Sequence, residues 1–183
     1  MSEEMFVRQC APTLAGVKTG SMFSCPYDTR EGMTEDVRRL NRVLVPKGLR
    51  LLPLRYSEKR VLLYLYRPTE LWHDLNDDKA AEILDAAGYS CTDCDRCVVK
   101  LIQRLRGNKD FPHEIGLFLS YPPEDVKGFI DNNAANFKYS GLWKVYGDEK
   151  RAKAMFEKFK KCTDIYCRMW QAGVSLDRLA VSA

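Results

Sequence analysis

The sequence predicts an α+β or mixed α/β fold, in which helices cover a small mixed sheet. Two neighbouring runs rich in Leu, Val and Tyr, LRLLPLRY and RVLLYLYR, predict a β-hairpin. Amphipathic helical patterns lie on both sides of these runs, and strand and helix patterns then alternate in the second half. The 183 residues suit one domain that spans 1–183.

The N-terminal third predicts a helix, a loop and a second helix. Residues 3–16 can begin a helix, which Pro12 must end or bend. Residues 16–32 are rich in turn formers and predict mostly loop, with a short strand around 21–24. The next helix covers 33–45, because apolar residues recur there at helical spacing: Met33, Val37, Leu40 and Leu44.

The middle of the chain predicts the hairpin and a further helix. Pro53 lies in the first strand, which indicates an edge position or a bulge, because proline cannot donate a ladder hydrogen bond. Asn76 is expected to cap the helix that contains Ala80 and Leu84, and Gly88 is expected to end it.

The second half predicts two strands and two helices. HEIGLFLS, residues 113–120, reads as a buried strand that leads into a helix with Pro123 at its first position. LWKVYG, residues 142–147, predicts another strand. A long helix at 149–171 is indicated by an apolar stripe of Ala152, Met155, Phe159, Cys162, Tyr166 and Met169. We expect Cys162 to be buried against the sheet.

Composition limits the class of protein. Charged residues are frequent, but the net charge is only +4, which makes a nucleic-acid partner an unfavoured prediction. No run approaches the roughly 20 apolar residues of a membrane-spanning helix, so no membrane association is expected. The N-terminal residues lack the pattern of a secretory signal, and we therefore expect a cytoplasmic protein. Seven cysteines do not predict a disulfide framework there.

The stretch CTDCDRC, residues 91–97, admits two interpretations. Cys91, Cys94 and Cys97 have the spacing of the first part of a ferredoxin motif, but VVKL follows where a fourth cysteine and a proline are expected. Ser90 and Asp93 instead match a helix-start pattern. We expect a helix over 91–106 with Cys94 and Cys97 facing the core, and no metal ligand among the three cysteines. An iron–sulfur or other metal site remains the alternative.

The box FPHEIGLFLSYPPEDVKGFI, residues 111–130, is the most distinctive stretch. Together with the following NNAANFKYSGLWKVYGD, and with CAPTLAGVKTGS near the N-terminus, it resembles the family known as domain of unknown function 3793, found largely in anaerobic Firmicutes. The resemblance extends over most of the chain. It implies a compact cytoplasmic domain and brings no activity, cofactor or catalytic residue with it.

Two polar stretches are candidates for a binding site. On a regular strand, His113 and Glu114 would point to opposite faces, and Tyr121 would lie at the corner between strand and helix, where ligand crevices often form. In the VKTGS turn, Lys18, Thr19 and Ser21 could hold an anionic group, although the turn is not a P-loop. We expect Lys18, His113 and Tyr121 to face one cavity.

The sequence therefore predicts a small-molecule or cofactor-binding protein of anaerobic metabolism, with catalysis and the identity of any cofactor left open. Two alternatives stay beside this prediction. One is a metal or iron–sulfur protein that uses Cys91, Cys94 and Cys97. The other is an interaction module without a ligand, whose basic helix faces bind an acidic protein partner.

Overall fold

The computed structural model describes residues 1–89, 92–107 and 111–182, and the chain divides into two compact units. The first unit combines Met1–Pro68 with the chain from Phe159 onward, and the second is Thr69–Lys158. The prediction of an α+β fold is confirmed. The prediction of a single domain over 1–183 stays a prediction.

Helices make up most of both units. The α-helices are α1 (Glu3–Leu14), α2 (Arg30–Leu44), α3 (Pro68–Leu75), α4 (Asp78–Ala86), α5 (Cys94–Gly107), α6 (Pro123–Asp131), α7 (Glu149–Gln171) and α8 (Leu176–Leu179). Two 3₁₀ helices cover Val45–Lys47 and His113–Leu119. The strands are β1 (Gly20–Pro26), β2 (Arg50–Tyr56), β3 (Arg60–Tyr66), β4 (Tyr139–Ser140) and β5 (Lys144–Val145).

The sheet of the first unit has the strand order β1-β3-β2, and both pairings are antiparallel. The hairpin prediction is confirmed as β2 and β3. Pro53 lies on an edge strand, and the register shifts between Pro53 and Arg55. The edge position and the bulge that the sequence indicated are therefore both present. The sheet is antiparallel and not mixed as expected: a short turn joins β2 to β3, whereas α2 and β2 lie between β1 and β3 in the chain.

The core of the first unit lies on one face of this sheet. Val61, Leu63 and Leu65 of β3 point to it by strand alternation and pack with α1, α2 and α8. The predicted α2 stripe is confirmed, since all four of its apolar residues are buried: Met33, Val37, Leu40 and Leu44. Burial of such side chains stabilises a fold by about 1.5–3 kcal/mol each.

Helix α2 also contacts the edge strand through one amide side chain. Asn41 Nδ2 donates to the Leu51 carbonyl oxygen, and the Leu51 amide donates to Asn41 Oδ1, both at 2.9 Å. The two backbone groups of Leu51 that face away from β3 are thereby satisfied.

Three predicted elements differ from the structure. Residues 16–32 were expected to be mostly loop, but β1 covers Gly20–Pro26 and α2 begins at Arg30, where Thr29 Oγ1 accepts from the Gly32 amide at 3.1 Å. The N-cap of α4 is Asp77 and not Asn76, because Asp77 Oδ1 accepts from the amides of Lys79 and Ala80. The strand expected at 142–147 is shortened to β5, which pairs with β4.

The largest error concerns residues 113–120. The expected buried strand is the 3₁₀ helix His113–Leu119, followed by Ser120 in the left-handed conformation with φ 60°. A short apolar run has the same appearance in a buried strand and in a buried helical turn, so periodicity could not distinguish them. His113 and Glu114 therefore do not occupy opposite faces of a strand.

The cysteine helix begins later than expected. Helix α5 starts at Cys94, and the Asp93 carboxylate caps it by accepting from the Arg96 amide at 2.9 Å. Cys97 is buried as predicted, whereas Cys94 is only half-buried. Ser90 and Cys91 lie outside the described residues.

The prediction for the last helix is confirmed in its bounds, Glu149–Gln171. Cys162, however, is half-buried and not fully buried as expected, because the C-terminal part of α7 leaves much of its stripe in contact with solvent.

We predict that Cys97→Ser lowers the free energy of unfolding by about 1–2 kcal/mol, because it places a hydroxyl in an apolar site. Cys97 is 2% exposed and lies beside Val98 and Leu101 on the buried face of α5. Cys94→Ser is the matched control on the same helix, and its loss should be smaller. Urea unfolding measures both values, and equal losses would contradict the packing described here.

Candidate functional site

The second unit contains a candidate site where the 3₁₀ helix His113–Leu119 leads into α6. Gly116 lies in the middle of this helix and allows a close approach to its neighbours. A Cβ at this position would lie 2.8 Å from Val126 Cγ2 and 3.0 Å from Tyr121 Cδ2. Only glycine fits without displacing these side chains, so the segment is held tightly against α6.

Asp125, in the first turn of α6, connects this helix to β5. Its Oδ2 accepts from Trp143 Nε1 at 2.7 Å, and its Oδ1 accepts from the amides of Tyr146 and Gly147 at 2.7 Å each. Asp125 is 3% exposed, and three donors compensate for the burial of its charge. The carboxylate therefore fixes the position of the Trp143 ring.

The rings around Trp143 form one wall of the site. Tyr121 stacks on Trp143 with a centroid distance of 4.6 Å and an interplanar angle of 26°. Phe156 contacts the same indole edge-on at 4.4 Å and 83°. Burial raises the pKa of Tyr121, so its hydroxyl stays protonated at neutral pH.

A cavity of about 410 Å³ lies beside this wall. Apolar side chains dominate its lining and include Ile115, Leu119, Tyr121, Val126, Phe129 and Trp143. His113 and Lys144 also line the cavity: the His113 ring contacts Phe129 edge-on at 5.0 Å, and Lys144 Nζ lies 5.8 Å from the Phe129 centroid. Volume and lining both match small-molecule pockets.

A strained turn precedes β4 at the side of Lys144. Asn133, Ala134 and Asn136 all have positive φ, at 48°, 63° and 57°. This conformation is unfavourable for alanine, which lacks the local hydrogen bonds that asparagine can form. Lys144 Nζ donates to the Ala134 carbonyl at 2.7 Å, and the turn is thereby tied to the cavity wall.

Glu114 lines a second cavity next to the first. Its side chain is buried, and Oε1 accepts from the Tyr89 hydroxyl at 3.0 Å and from Arg104 Nε at 2.5 Å. Arg104 also donates through Nη1 to the Ala87 carbonyl at 2.9 Å. These bonds connect the 3₁₀ helix with α5 and with the end of α4.

The predicted VKTGS residues belong to the first unit. Ser21 Oγ is 2.8 Å from Thr13 Oγ1, and the Thr19 carbonyl accepts from the Arg67 amide at 3.0 Å. Both Ser21 and Thr19 are buried, so these interactions are structural. Lys18 is half-buried, and its Nζ lies 5.8 Å from the Phe159 ring centroid.

The predicted site residues thus fall into two groups. His113 and Tyr121 line the same cavity, and Glu114 lines the adjoining one. The other group, Lys18, Thr19 and Ser21, lies in the first unit. The expectation that Lys18 faces one cavity with His113 and Tyr121 stays a prediction.

Sequence reasoning missed four residues of this site: Asp125, Phe129, Trp143 and Lys144. One signal was present, because Asp125 follows a Pro-Pro pair at a helix start and such carboxylates often accept backbone donors. The pairing of Asp125 with Trp143 depends on tertiary structure and has no signature in the spacing of the two residues.

Residues 1–89, 92–107 and 111–182 contain no group of three or more His, Cys, Asp or Glu side chains that could hold a metal ion. Cys91 is outside these ranges, so the metal alternative for Cys91, Cys94 and Cys97 stays a prediction. Within the same ranges, no helix has the length and hydropathy needed to cross a membrane.

Comparison with known proteins gives one match. A family model described as a protein of unknown function (DUF3793) matches residues 6–180. No curated protein and no solved structure matches the chain.

We predict that Asp125→Asn lowers the free energy of unfolding by about 2–4 kcal/mol. The side-chain NH₂ of the introduced asparagine would face one of the N–H groups that donate to Asp125. The charge-assisted hydrogen bonds from Trp143 Nε1 and from the two backbone N–H groups would also be weakened. Asp131→Asn, on the same helix but exposed, is the control and should change stability little. Urea unfolding followed by circular dichroism checks this, and similar values for both variants would contradict the role of Asp125.

A second prediction concerns the pH dependence of stability. Burial lowers the pKa of Lys18 from 10.5 to about 8, although the nearby Cys10 thiol opposes this shift. Between pH 8 and pH 10.5 the unfolded chain binds more protons at Lys18 than the folded chain does, so the contribution of Lys18 to stability rises with pH through this window. Relative to Lys18→Met, the wild-type free energy of unfolding should therefore rise by up to about 3 kcal/mol.

Urea unfolding of both proteins at several pH values between 7.5 and 10.5 would measure this difference. Lys161→Met, the matched control, replaces an exposed lysine of the same unit and keeps Lys18 in place. A difference between wild type and Lys18→Met that stays flat across the window would show that Lys18 titrates normally.

Proposed function

The chain belongs to the DUF3793 family, and because this membership assigns no activity, we propose its function from the second unit: it binds a small molecule with a flat apolar group. The single observation that supports this proposal is the apolar cavity beside the stacked Tyr121 and Trp143 rings. A volume of about 410 Å³ lies in the range of drug-sized ligand pockets.

The chemistry of the lining favours a planar ring over a flexible chain. Aromatic faces and edges surround the cavity at Tyr121, Trp143 and Phe129, and aromatic pairs gain about 0.5–1.5 kcal/mol beyond area burial. His113 and Lys144 can orient a polar substituent. We assign binding and no reaction, since no residue of the site has a defined role in bond making or breaking.

The cytoplasmic location and the setting in anaerobic metabolism belong to the same proposal. They are supported by the composition of the chain and by what the family resemblance implies.

A neutral aromatic probe, naphthylethanol, tests the proposal by isothermal titration calorimetry. Leu142 lines the cavity and is 58% exposed, so Leu142→Asp makes the wall polar with little effect on folding. We expect wild type to bind the probe with a negative heat-capacity change, and Leu142→Asp to bind it at least about tenfold more weakly. This loss would correspond to about 1.4 kcal/mol.

Val99→Asp is the matched control. Val99 lies on α5 in the same unit, is 52% exposed and does not line the cavity, so this variant should bind the probe as wild type does. The proposal fails if wild type does not bind naphthylethanol, or if both aspartate variants lose affinity equally.

A protein partner is the second candidate function. Exposed apolar side chains line this cavity and the one that adjoins it: Phe111, Ile130 and Leu142 are 38–58% exposed. Such a patch is typical of an interaction surface. In this case wild type would not bind naphthylethanol, and Leu142→Asp would weaken a protein complex instead.

A further inference from the structure

Glu114 has one carboxylate oxygen with no partner among the described residues. Its side chain is 4% exposed, and both hydrogen bonds of the group, from Tyr89 and from Arg104, end on Oε1. The described part of the chain contains no buried side-chain oxygen without a partner, so Oε2 is in contact with the open space of the cavity that Glu114 lines. A buried carboxylate in this position requires a donor from water or from a ligand.

The cavity at Glu114 has a volume of about 500 Å³ and a charged lining. Glu82, Glu114 and Asp131 contribute negative charge, whereas Arg104 and Lys127 contribute positive charge. Arg104 is bonded to Glu114, and Lys127 pairs with Asp131 at 3.2 Å. The formal charge that remains after these two pairs is the negative charge of Glu82, which favours a cationic donor over an anionic one.

The apolar cavity and this charged cavity adjoin. Phe111 and His113 line both of them, and both side chains are exposed. A molecule with its ring against Trp143 could therefore extend past His113 toward Glu114.

We propose that the ligand of the apolar cavity is an aryl-alkyl amine, whose ring lies beside Tyr121 and Trp143 and whose ammonium group donates to Glu114 Oε2. This inference rests on the proposed function, since it names the ligand class for the same site. The ammonium group donates a hydrogen bond to the second oxygen of Glu114. The negative charge of the cavity lining also attracts it. A charge-assisted hydrogen bond of this kind is about twice as strong as a neutral one.

Naphthylethylamine, naphthylethanol and naphthylacetate test the inference, because they share a ring and differ in the charge of the end group. We expect wild type at pH 7 to bind the amine about tenfold more tightly than the alcohol, and the alcohol more tightly than the acetate. Glu114→Gln should remove the preference for the amine over the alcohol.

Two further variants keep the test decisive. Glu82→Gln removes one negative charge from the same cavity, as Glu114→Gln does, but at an exposed position. It should retain most of the preference for the amine over the alcohol. Ala86 is exposed and lines only the charged cavity, so Ala86→Lys introduces a repelling cation without altering the Glu114 pair, and it should weaken amine binding alone. This second variant serves if Glu114→Gln does not fold.

The outcomes separate the two proposals. If the alcohol binds and the amine shows no preference, or if Ala86→Lys leaves the preference unchanged, the amine assignment is wrong and the apolar site stands. If none of the three probes binds, both proposals are wrong. If Glu82→Gln removes as much of the preference as Glu114→Gln, the preference comes from the overall charge and not from Oε2.

Discussion

The buried carboxylate of Asp125 is the interaction on which the candidate site depends. A charge removed from water is costly, and it is tolerated here because the indole of Trp143 and the amides of Tyr146 and Gly147 all donate to it. The same bonds join the start of α6 to β5, two elements that are distant in sequence. The aromatic wall of the cavity is consequently fixed by a polar group and not by packing alone.

Close approaches reinforce this arrangement. A Cβ at Gly128 would lie 2.4 Å from Tyr146 Cγ, and one at Gly141 would lie 2.2 Å from Phe156 Cε2. Both aromatic residues are thereby packed directly against backbone. The strained turn at Ala134 belongs to the same region, and its conformation is maintained by the bond from Lys144. Strain and tight packing of this kind are common where a protein positions a ligand.

The sequence was most informative where one local pattern decides the structure. The β2–β3 hairpin and the stripe of α2 follow from strand and helix periodicity, and the family resemblance is confirmed by the match over residues 6–180. The segment that begins at His113 was misassigned, because apolar residues without polar alternation fit either a strand or a helical turn. His113 and Tyr121 line one cavity, in keeping with the tendency of polar and aromatic residues at an element boundary to line pockets, and their role in binding stays a prediction. The Asp125–Trp143 bond could not be anticipated, because nothing in the spacing of an acid and an indole indicates that they meet.

The contact between Asn41 and Leu51 has a consequence for how this chain behaves at high concentration. Strand β2 is an edge strand, and exposed backbone groups at such an edge can pair with a strand from another molecule. The Asn41 amide already occupies the donor and the acceptor of Leu51, and the proline at position 53 removes another donor nearby. Growth of the sheet from one molecule into the next is therefore obstructed on this side, and α2 protects the chain against β-aggregation as well as covering its core.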